Sequence, residues 1–364
     1  MSDGKRPEIS VVMSVYNGER YLGEALESLC AQTFDSWELI AVDDCSTDAT
    51  FGILEEFAQR DKRIRVMRNE RNLKLAASLN RAVENACGRY IARMDADDIC
   101  LPNRLERQFA FMESRGDVDL SSCRFFTEKD GRISSGGGGG PCDAESVKAM
   151  LLFANPILHP GVIAKSGVMK SYRYDEALTC TEDLDLWTRM AADGKRIEIQ
   201  SEYLMIYRLH SSQITATVTP KQRTEVLDIQ KRYFASLRAP MSEKSENYYT
   251  DGMYFKDSAK ISMREFSCFA RSLKKSIGNC GTLEKEALDR ALIEVLAEYK
   301  RKGLSPVKII IGAANAGISP IFFAGELSRR KKRARADGHR CIAVAERIGL
   351  HRTGKSETFP TFSR

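Results

Sequence analysis

Asp95, Asp97 and Asp98 place three carboxylates within four residues, at the end of the apolar run Tyr90-Ile91-Ala92-Arg93-Met94. The run after Gly88 has the character of a buried strand. Ala96, between the first two aspartates, is too small to crowd a ligand. Two carboxylates about 5 Å apart repel by roughly 3 kcal/mol at an effective dielectric of 20. A hard divalent cation, Mg²⁺ or Mn²⁺, relieves that cost, and two carboxylates plus substrate phosphates are its usual ligands. The plainer reading makes these aspartates the cap of a helix opened by Pro102 and Asn103. The rest of the chain favours the metal.

The segments around this stretch are strands and helices in alternation. Glu8 to Val15 reads as a nearly continuous apolar strand, as in a parallel sheet covered on both faces. Tyr16-Asn17-Gly18 turns the chain into a helix whose stripe is Tyr21, Leu22, Ala25, Leu26, Leu29 and Cys30. A strand from Glu38 to Val42 ends at Asp43-Asp44-Cys45-Ser46-Thr47-Asp48, and a helix follows from about Ala49. Ile64 to Met67 is a third strand, Leu75 to Ala86 a helix, and Tyr90 to Met94 the fourth strand. This order implies right-handed crossovers and an α/β fold with a mostly parallel, Rossmann-like sheet and helices on both faces. The polar ends Tyr16-Asn17, Asp43-Asp44 and Asp95-Ala96-Asp97 then gather along one edge, where open α/β sheets bind ligands.

Further along, Leu105 to Met112 reads as a helix and Val118 to Phe126 as a strand. The five glycines Gly136 to Gly140 suggest a mobile loop, either a plain surface insertion or a flap over a substrate. Asp143 to Phe153 is helical, His159 to Lys165 a strand, Leu184 to Ala192 amphipathic, and Ile197 to Arg208 strand-like. From Thr219 the pattern becomes helical, through Val226, Ile229, Tyr233, Phe234 and Leu237. A further helix, with Thr282 as its N-cap, runs through Leu288, Leu292, Leu296 and Tyr299 to Gly303 and Pro306. The expected division is 1–218, an α/β catalytic domain; 219–303, a helical extension; and 304–364, an apolar and basic tail whose end, Thr353 to Arg364, is polar and disordered.

At 364 residues, 43% of them hydrophobic, the chain is long enough for two domains or one large domain with an appendage. The net charge of +6 is concentrated after residue 300 and describes the tail more than the domain before it. Ten cysteines lack the spacing of zinc ligands and have only four histidines to help them. Reduced thiols of a cytoplasmic protein are the expectation. Met1-Ser2-Asp3-Gly4-Lys5-Arg6-Pro7 has no apolar core and is not a secretory signal.

Four motifs in order resemble family-2 glycosyltransferases: Ser10-Val11-Val12-Met13-Ser14-Val15-Tyr16-Asn17, Val42-Asp43-Asp44-Cys45-Ser46-Thr47-Asp48, Met94-Asp95-Ala96-Asp97-Asp98 and Thr181-Glu182-Asp183. The resemblance covers roughly residues 7 to 215. It implies a GT-A fold, an inverting mechanism and a nucleotide-sugar donor, with a UDP-sugar favoured. It sets Val15, Tyr16 and Asn17 around the base and ribose, and gives Asp44, beside Asp43, a hydrogen bond from the base. Asp95 would face ribose or metal-bound water, Asp97 would ligate the ion bridging the diphosphate, and Asp183 would be the general base, with Glu182 assisting. His210 would be a third metal ligand or touch the diphosphate. His159 would be structural or on the acceptor side, and Trp187 core or a stacking surface. Two positions depart from the family. Cys45 replaces a usual glycine, and Lys74 stands where glycine is common, either touching phosphate or simply solvated.

The chemistry fits those roles. Negative charge grows on a diphosphate leaving group, where a metal acts as a Lewis acid. A carboxylate on the opposite face takes the proton of the attacking hydroxyl. Two rivals stay open, a sugar-1-phosphate nucleotidyltransferase and a non-catalytic nucleotide-sugar-binding protein. The first strand lacks the basic Gly-rich loop the former needs, and a binder has no use for a base. A glycoside hydrolase also uses paired carboxylates but needs no nucleotide pocket. The acceptor expected is a polysaccharide or glycolipid of the cell envelope.

In the tail, the apolar stretch Val307 to Gly325 leads into Arg329-Arg330-Lys331-Lys332-Arg333. Lys308, Asn315, Ser319 and Pro320 interrupt it. Three readings stand: peripheral contact with a membrane through 307–335, a packed helical hairpin, or a membrane span. Nucleic acid is excluded because aromatics are not interleaved with the charges. The expected location is the cytoplasm, at the inner face of the cell membrane if the tail binds there.

Overall fold

The computed structural model describes residues 6–135, 142–211, 213, 219–239, 263–301 and 306–347. The glycine run and the Thr353 to Arg364 end lie outside these residues, as does the boundary expected at 303/304.

Among the described residues one nine-stranded sheet forms the centre, in the order β3-β2-β1-β4-β8-β6-β9-β5, with β7 added on β6. Its first half is the parallel unit expected from the sequence. β1 (Ile9–Val15) pairs in parallel with β2 (Trp37–Asp43) and with β4 (Tyr90–Arg93), and β2 pairs with β3 (Ile64–Arg68). The crossover helices are α1 (Glu19–Cys30), α2 (Thr50–Arg60) and α3 (Leu75–Asn85). Every residue of β2 is buried, which explains the apolar run Leu39-Ile40-Ala41-Val42 within it.

Beyond β4 the sheet is mixed. β8 (Ile163–Lys165) runs antiparallel to both β4 and β6 (Leu120–Lys129), and β9 (Ile197–Arg208) runs parallel to β6. Two short strands, β5 (Ile99–Cys100) and β7 (Arg132–Ser135), pair antiparallel with β9 and β6. The strand expected over His159 to Lys165 is shorter: His159–Gly161 is a 3₁₀ turn, and the strand begins at Ile163. Pro160 has no N–H to give a ladder, which favours the turn.

The aspartates at 95–98 do not cap the next helix. β5 intervenes, and α4 (Arg104–Ser114) has Asn103 at its N-cap. Two more short helices, α5 (Ala144–Met150) and α6 (Ser166–Tyr172), precede α7 (Glu182–Ala192) and α8 (Pro220–Ser236). The capping box at Thr219 and Gln222 opens α8.

The C-terminal region is helical: α9 (Met263–Cys280), α10 (Lys285–Arg301), α11 (Pro306–Asn315) and α12 (Pro320–Arg347). Leu288, Leu292 and Leu296 are buried along one stripe of α10, as the sequence pattern indicates. Thr282 does not cap this helix; its hydroxyl donates to the Leu237 carbonyl at 3.0 Å. One apolar cluster runs from Val12 and Leu120 in the sheet through Tyr233 to Leu292 and Ile309. A buried ion pair, Asp337 with Arg124 at 2.7 Å, ties α12 to β6. The tail thus forms a packed hairpin of α11 and α12, and among the described residues no helix is long and apolar enough to cross a membrane.

Candidate active site

The loop after β1 and the loop after β2 are stitched together by polar contacts. Asn17 N donates to Ser46 Oγ at 3.0 Å, and Asn17 Oδ1 accepts from Thr47 N at 2.9 Å. Gly18 N donates to Thr50 Oγ1 at 2.8 Å. A Cβ on Gly18 would come 2.7 Å from Val15 Cγ2 and 3.9 Å from Ala96 Cβ, so this loop lies directly against the aspartate loop. Val15 is buried, whereas Tyr16 and Asn17 are exposed.

Asp43 and Asp44 sit inside this framework. Asp43 pairs with Arg68 Nε at 3.0 Å and faces Ser46 N. Asp44 accepts from Asn69 Nδ2 at 2.7 Å and from the backbone N–H groups of Leu73 and Lys74, both at 2.8 Å. Both carboxylates are buried and engaged, and their partners fix the loops that border the cleft. Cys45 and Lys74, the two departures from the family pattern, hold positive φ angles of 64° and 74°.

Asp95, Asp97 and Asp98 each offer one oxygen to a set lying within 4.8 Å of one another. Burial raises the Asp95 carboxyl above its usual range, with Arg93 opposing the shift. Burial raises that of Asp98 further, and Asp95 and Asp97 add to it. Asp98 Oδ1 accepts from Arg208 N at 3.0 Å, while Oδ2 is buried with no hydrogen-bond partner among the described residues. From the end of β9, His210 Nε2 comes 2.9 Å from Asp97 Oδ2. The imidazole rests on Tyr21 of α1, ring centroids 4.8 Å apart. Crowded carboxylate oxygens, one of them buried and without a partner among the described residues, suit Mn²⁺ or Mg²⁺.

Arg93 joins this group to the second acidic pair. It is almost wholly buried and ion-pairs with Asp95. Its charge also reaches Glu182 and Asp183, opposing the effect of their burial. Glu182 is raised to about 7 by burial first and by the neighbouring Asp183 charge second. Asp183, in the first turn of α7, is raised by burial, with lowering contributions from the Leu184 N–H, Arg93 and Asn155. Leu184 N donates to Asp183 Oδ1 and Asn155 Nδ2 to Asp183 Oδ2, both at 2.7 Å.

Behind this pair lies a layer of buried rings. His159 Nε2 and the Tyr174 hydroxyl are 2.9 Å apart, and Trp187 meets His159 edge-on at 5.8 Å. Burial and Arg93 push the His159 pKa well below its usual value, which keeps it neutral. Both His159 and Trp187 are therefore core groups of the site's floor. Arg93, Asn155 and Tyr174 had no role in the sequence reading. Arg104 had none either; it is fully buried and donates to the carbonyls of Arg93 at 2.6 Å and Pro160 at 2.7 Å. It pins the end of β4 just before the aspartates.

The Glycosyl transferase family 2 model matches residues 10–148. An uncharacterized glycosyltransferase of Methanocaldococcus jannaschii is 39% identical over 207 residues, 56% of this chain and 71% of that protein. The chain belongs to glycosyltransferase family 2. The Escherichia coli protein WfaP, a UDP-Glc:alpha-D-GlcNAc-diphosphoundecaprenol beta-1,3-glucosyltransferase, is 29% identical to this family-2 glycosyltransferase over 209 residues, 57% of this chain and 80% of WfaP. Staphylococcus aureus TarS 1-349, solved in complex with UDP-GlcNAc, matches with a TM-score of 0.55 at 19% identity, over 89% of this chain and 92% of that one. That likeness shows the GT-A fold.

Proposed function

We propose that this family-2 glycosyltransferase moves a sugar, with inversion, from a nucleotide-diphosphate donor to a hydroxyl of a lipid-linked saccharide or polysaccharide. A UDP-sugar is the favoured donor, since WfaP is named for one and TarS 1-349 was solved with another. The lipid-linked acceptor follows the same relative. The observation that carries the reading is Arg93, whose charge acts both on Asp95 of the metal group and on Asp183 of the second acidic pair.

Asp97 and Asp95, with His210 beside Asp97, would hold the divalent ion, which when bound would neutralise charge on the departing diphosphate. Val15, Tyr16 and Asn17 border the base and ribose on the loops that Asp43 and Asp44 fasten. Asp183 takes the proton from the acceptor hydroxyl as its oxygen bonds to the anomeric carbon and the bond to the diphosphate breaks. Asn155 and the Leu184 N–H aim that carboxylate, and burial raises its proton affinity above that of an ordinary aspartate. Glu182, raised to about 7, holds a proton for much of the time near neutral pH. That spares Asp183 a second adjacent negative charge. The enzyme works at the cytoplasmic face of the membrane that carries its acceptor.

The test is a panel of nucleotide sugars with Mn²⁺ and a polyprenyl-diphosphate saccharide, followed by nucleoside diphosphate release and product mass. Stabilisation against heat by one donor, then acceptor-dependent release, is expected. Release of pyrophosphate from a sugar phosphate and a nucleoside triphosphate would instead identify a nucleotidyltransferase.

A further inference from the structure

The large apolar side chains left exposed among the described residues fall in two places. Tyr16, Leu73 and Leu209 sit on the loops of the cleft, next to Asn17, Lys74 and His210. Ile310, Ile311 and Ile321 are 56%, 52% and 86% exposed and belong to the α11–α12 hairpin. The inner face of that hairpin is packed: Ile309, Ala313, Ala316, Ile318 and Phe323 are buried. Gly312 lies so close to α9 that a Cβ would meet Met263 Sδ at 2.9 Å. The hairpin is therefore anchored without its three outer isoleucines.

Residues 306–333 carry six basic side chains and one acid, Glu326. Glu326 is itself engaged, by Arg329 at 2.7 Å and Arg333 at 3.1 Å. Those contacts engage Arg329 and Arg333, and Arg330 pairs with Glu294; Lys308, Lys331 and Lys332 are the other basic side chains of this stretch and are exposed. Exposed isoleucines and exposed lysines on one helical stretch that has no uncommitted acid of its own have a definite complement. We propose that the α11–α12 hairpin docks this transferase on an anionic lipid surface, its isoleucines entering the acyl boundary and its basic side chains facing lipid phosphates.

A second copy of the chain fits less well, because a two-fold contact would set this basic surface against itself. An amphipathic element buries its apolar side about 5–10 Å into the interface, a depth that isoleucine side chains reach without a membrane span. Apolar and basic signals together give firmer attachment than either alone. The far half of α12 is tied to the sheet through Arg124 and Asp337, so docking would orient the catalytic domain on the surface. The link to catalysis rests on the lipid-linked acceptor proposed above; the lipid binding itself does not.

The experiment is co-sedimentation of the full chain with vesicles of phosphatidylcholine alone and of phosphatidylcholine mixed with phosphatidylglycerol. Salt-sensitive binding to the mixed vesicles only is expected, with Ile311→Asn/Ile321→Asn and Lys331→Glu/Lys332→Glu each weakening it about tenfold or more. Both variants should melt with the wild type and release nucleoside diphosphate equally with a soluble acceptor. Equal binding by wild type and variants, or no preference for anionic vesicles, overturns the proposal. So does a wild-type dimer, seen by sedimentation velocity, that the variants dissociate while vesicle binding is unchanged. Failure of sugar transfer with intact vesicle binding would count against the proposed reaction alone.

Discussion

His210 Nε2 lies 2.9 Å from Asp97 Oδ2, which brings the end of β9 onto the loop that follows β4. In the proposed site the contact sets an imidazole beside the carboxylates of Asp95, Asp97 and Asp98, where it would serve as a further ligand. Asp97→Ala should abolish Mn²⁺ binding by calorimetry and weaken the donor with it. His210→Ala should lower Mn²⁺ affinity by about tenfold or more. His210→Gln separates ligation from orientation, since an amide can donate to Asp97 but is a poor ligand. Wild-type Mn²⁺ affinity in His210→Gln would reduce the histidine to a support for Asp97.

Asp183 is held from both sides, by Leu184 N and by Asn155 Nδ2, each at 2.7 Å. Asp183→Asn keeps the shape and removes the proton acceptor, so kcat should fall by about 10²–10⁴ with donor affinity within a few-fold of wild type. Asn155→Ala frees one oxygen and should give a smaller loss, again in kcat more than in KM. Near-normal turnover by Asp183→Asn would end its assignment as the base.

Glu182 has a stability consequence whose sign can be worked out. Its pKa is raised from the usual 4.5 to about 7. Between those values the folded chain binds a proton that the unfolded chain has lost, so stability falls as pH rises through this window and levels off above it. Glu182→Gln, neutral at every pH, should unfold at higher denaturant than wild type at pH 8 and at the same denaturant at pH 4, both in EDTA. Parallel pH profiles for the two proteins would show that Glu182 is not charged at a cost in the folded chain.

Much of this site is legible in the sequence, because its acidic motifs sit where apolar runs stop. Strand ends such as Val15, Asp43 and Arg93 are marked by an abrupt change from buried to polar residues, and parallel topology then fixes which ends meet. Long-range partners leave no such mark. Nothing near Arg104 in sequence indicates that it reaches the Arg93 and Pro160 carbonyls, and Asn155 resembles any turn asparagine before a proline. The reversal of β8 is equally hidden, since a three-residue strand has too few residues to show a period. The apolar run after Val307 suited a hairpin, a surface anchor and a span alike; only the packing of Ile309 and Phe323 against the core distinguishes its inner face from its outer one.

The buried pair of Arg124 and Asp337 carries much of the attachment of α12, with side chains only 10% and 8% exposed. Arg124 Nη1 and Nη2 reach the two carboxylate oxygens at 3.0 and 2.7 Å, and the guanidinium stacks 4.1 Å from the Tyr203 ring. Removing Arg124 leaves Asp337 with Tyr203 and Arg340 alone among the described residues, so the loss should approach but not exceed the cost of a stranded buried charge, about 3–5 kcal/mol. Arg124→Ala should therefore expose α12 to limited proteolysis while the 6–135 region stays protected in hydrogen exchange. Arg124→Met/Asp337→Leu, which removes both charges, should recover most of the loss.

Lys74 occupies a backbone conformation, φ 74° and ψ 170°, that glycine alone adopts without strain. It is kept there because its N–H donates to Asp44 Oδ2 at 2.8 Å and to Asn72 Oδ1 at 3.2 Å, closing the loop before α3. Such a residue costs on the order of 1–3 kcal/mol. Glycine would relieve that strain but gives back about 0.4–1 kcal/mol through the freedom of the unfolded chain. Lys74→Gly should thus stabilise the protein by about 1 kcal/mol in urea unfolding. Lys74→Ala, which keeps the strained backbone and removes only the ammonium, should gain nothing. The same pair of variants separates the loop from the donor: weaker donor binding in both would assign the ammonium to the diphosphate, whereas unchanged binding would leave Lys74 a solvated side chain on a strained hinge.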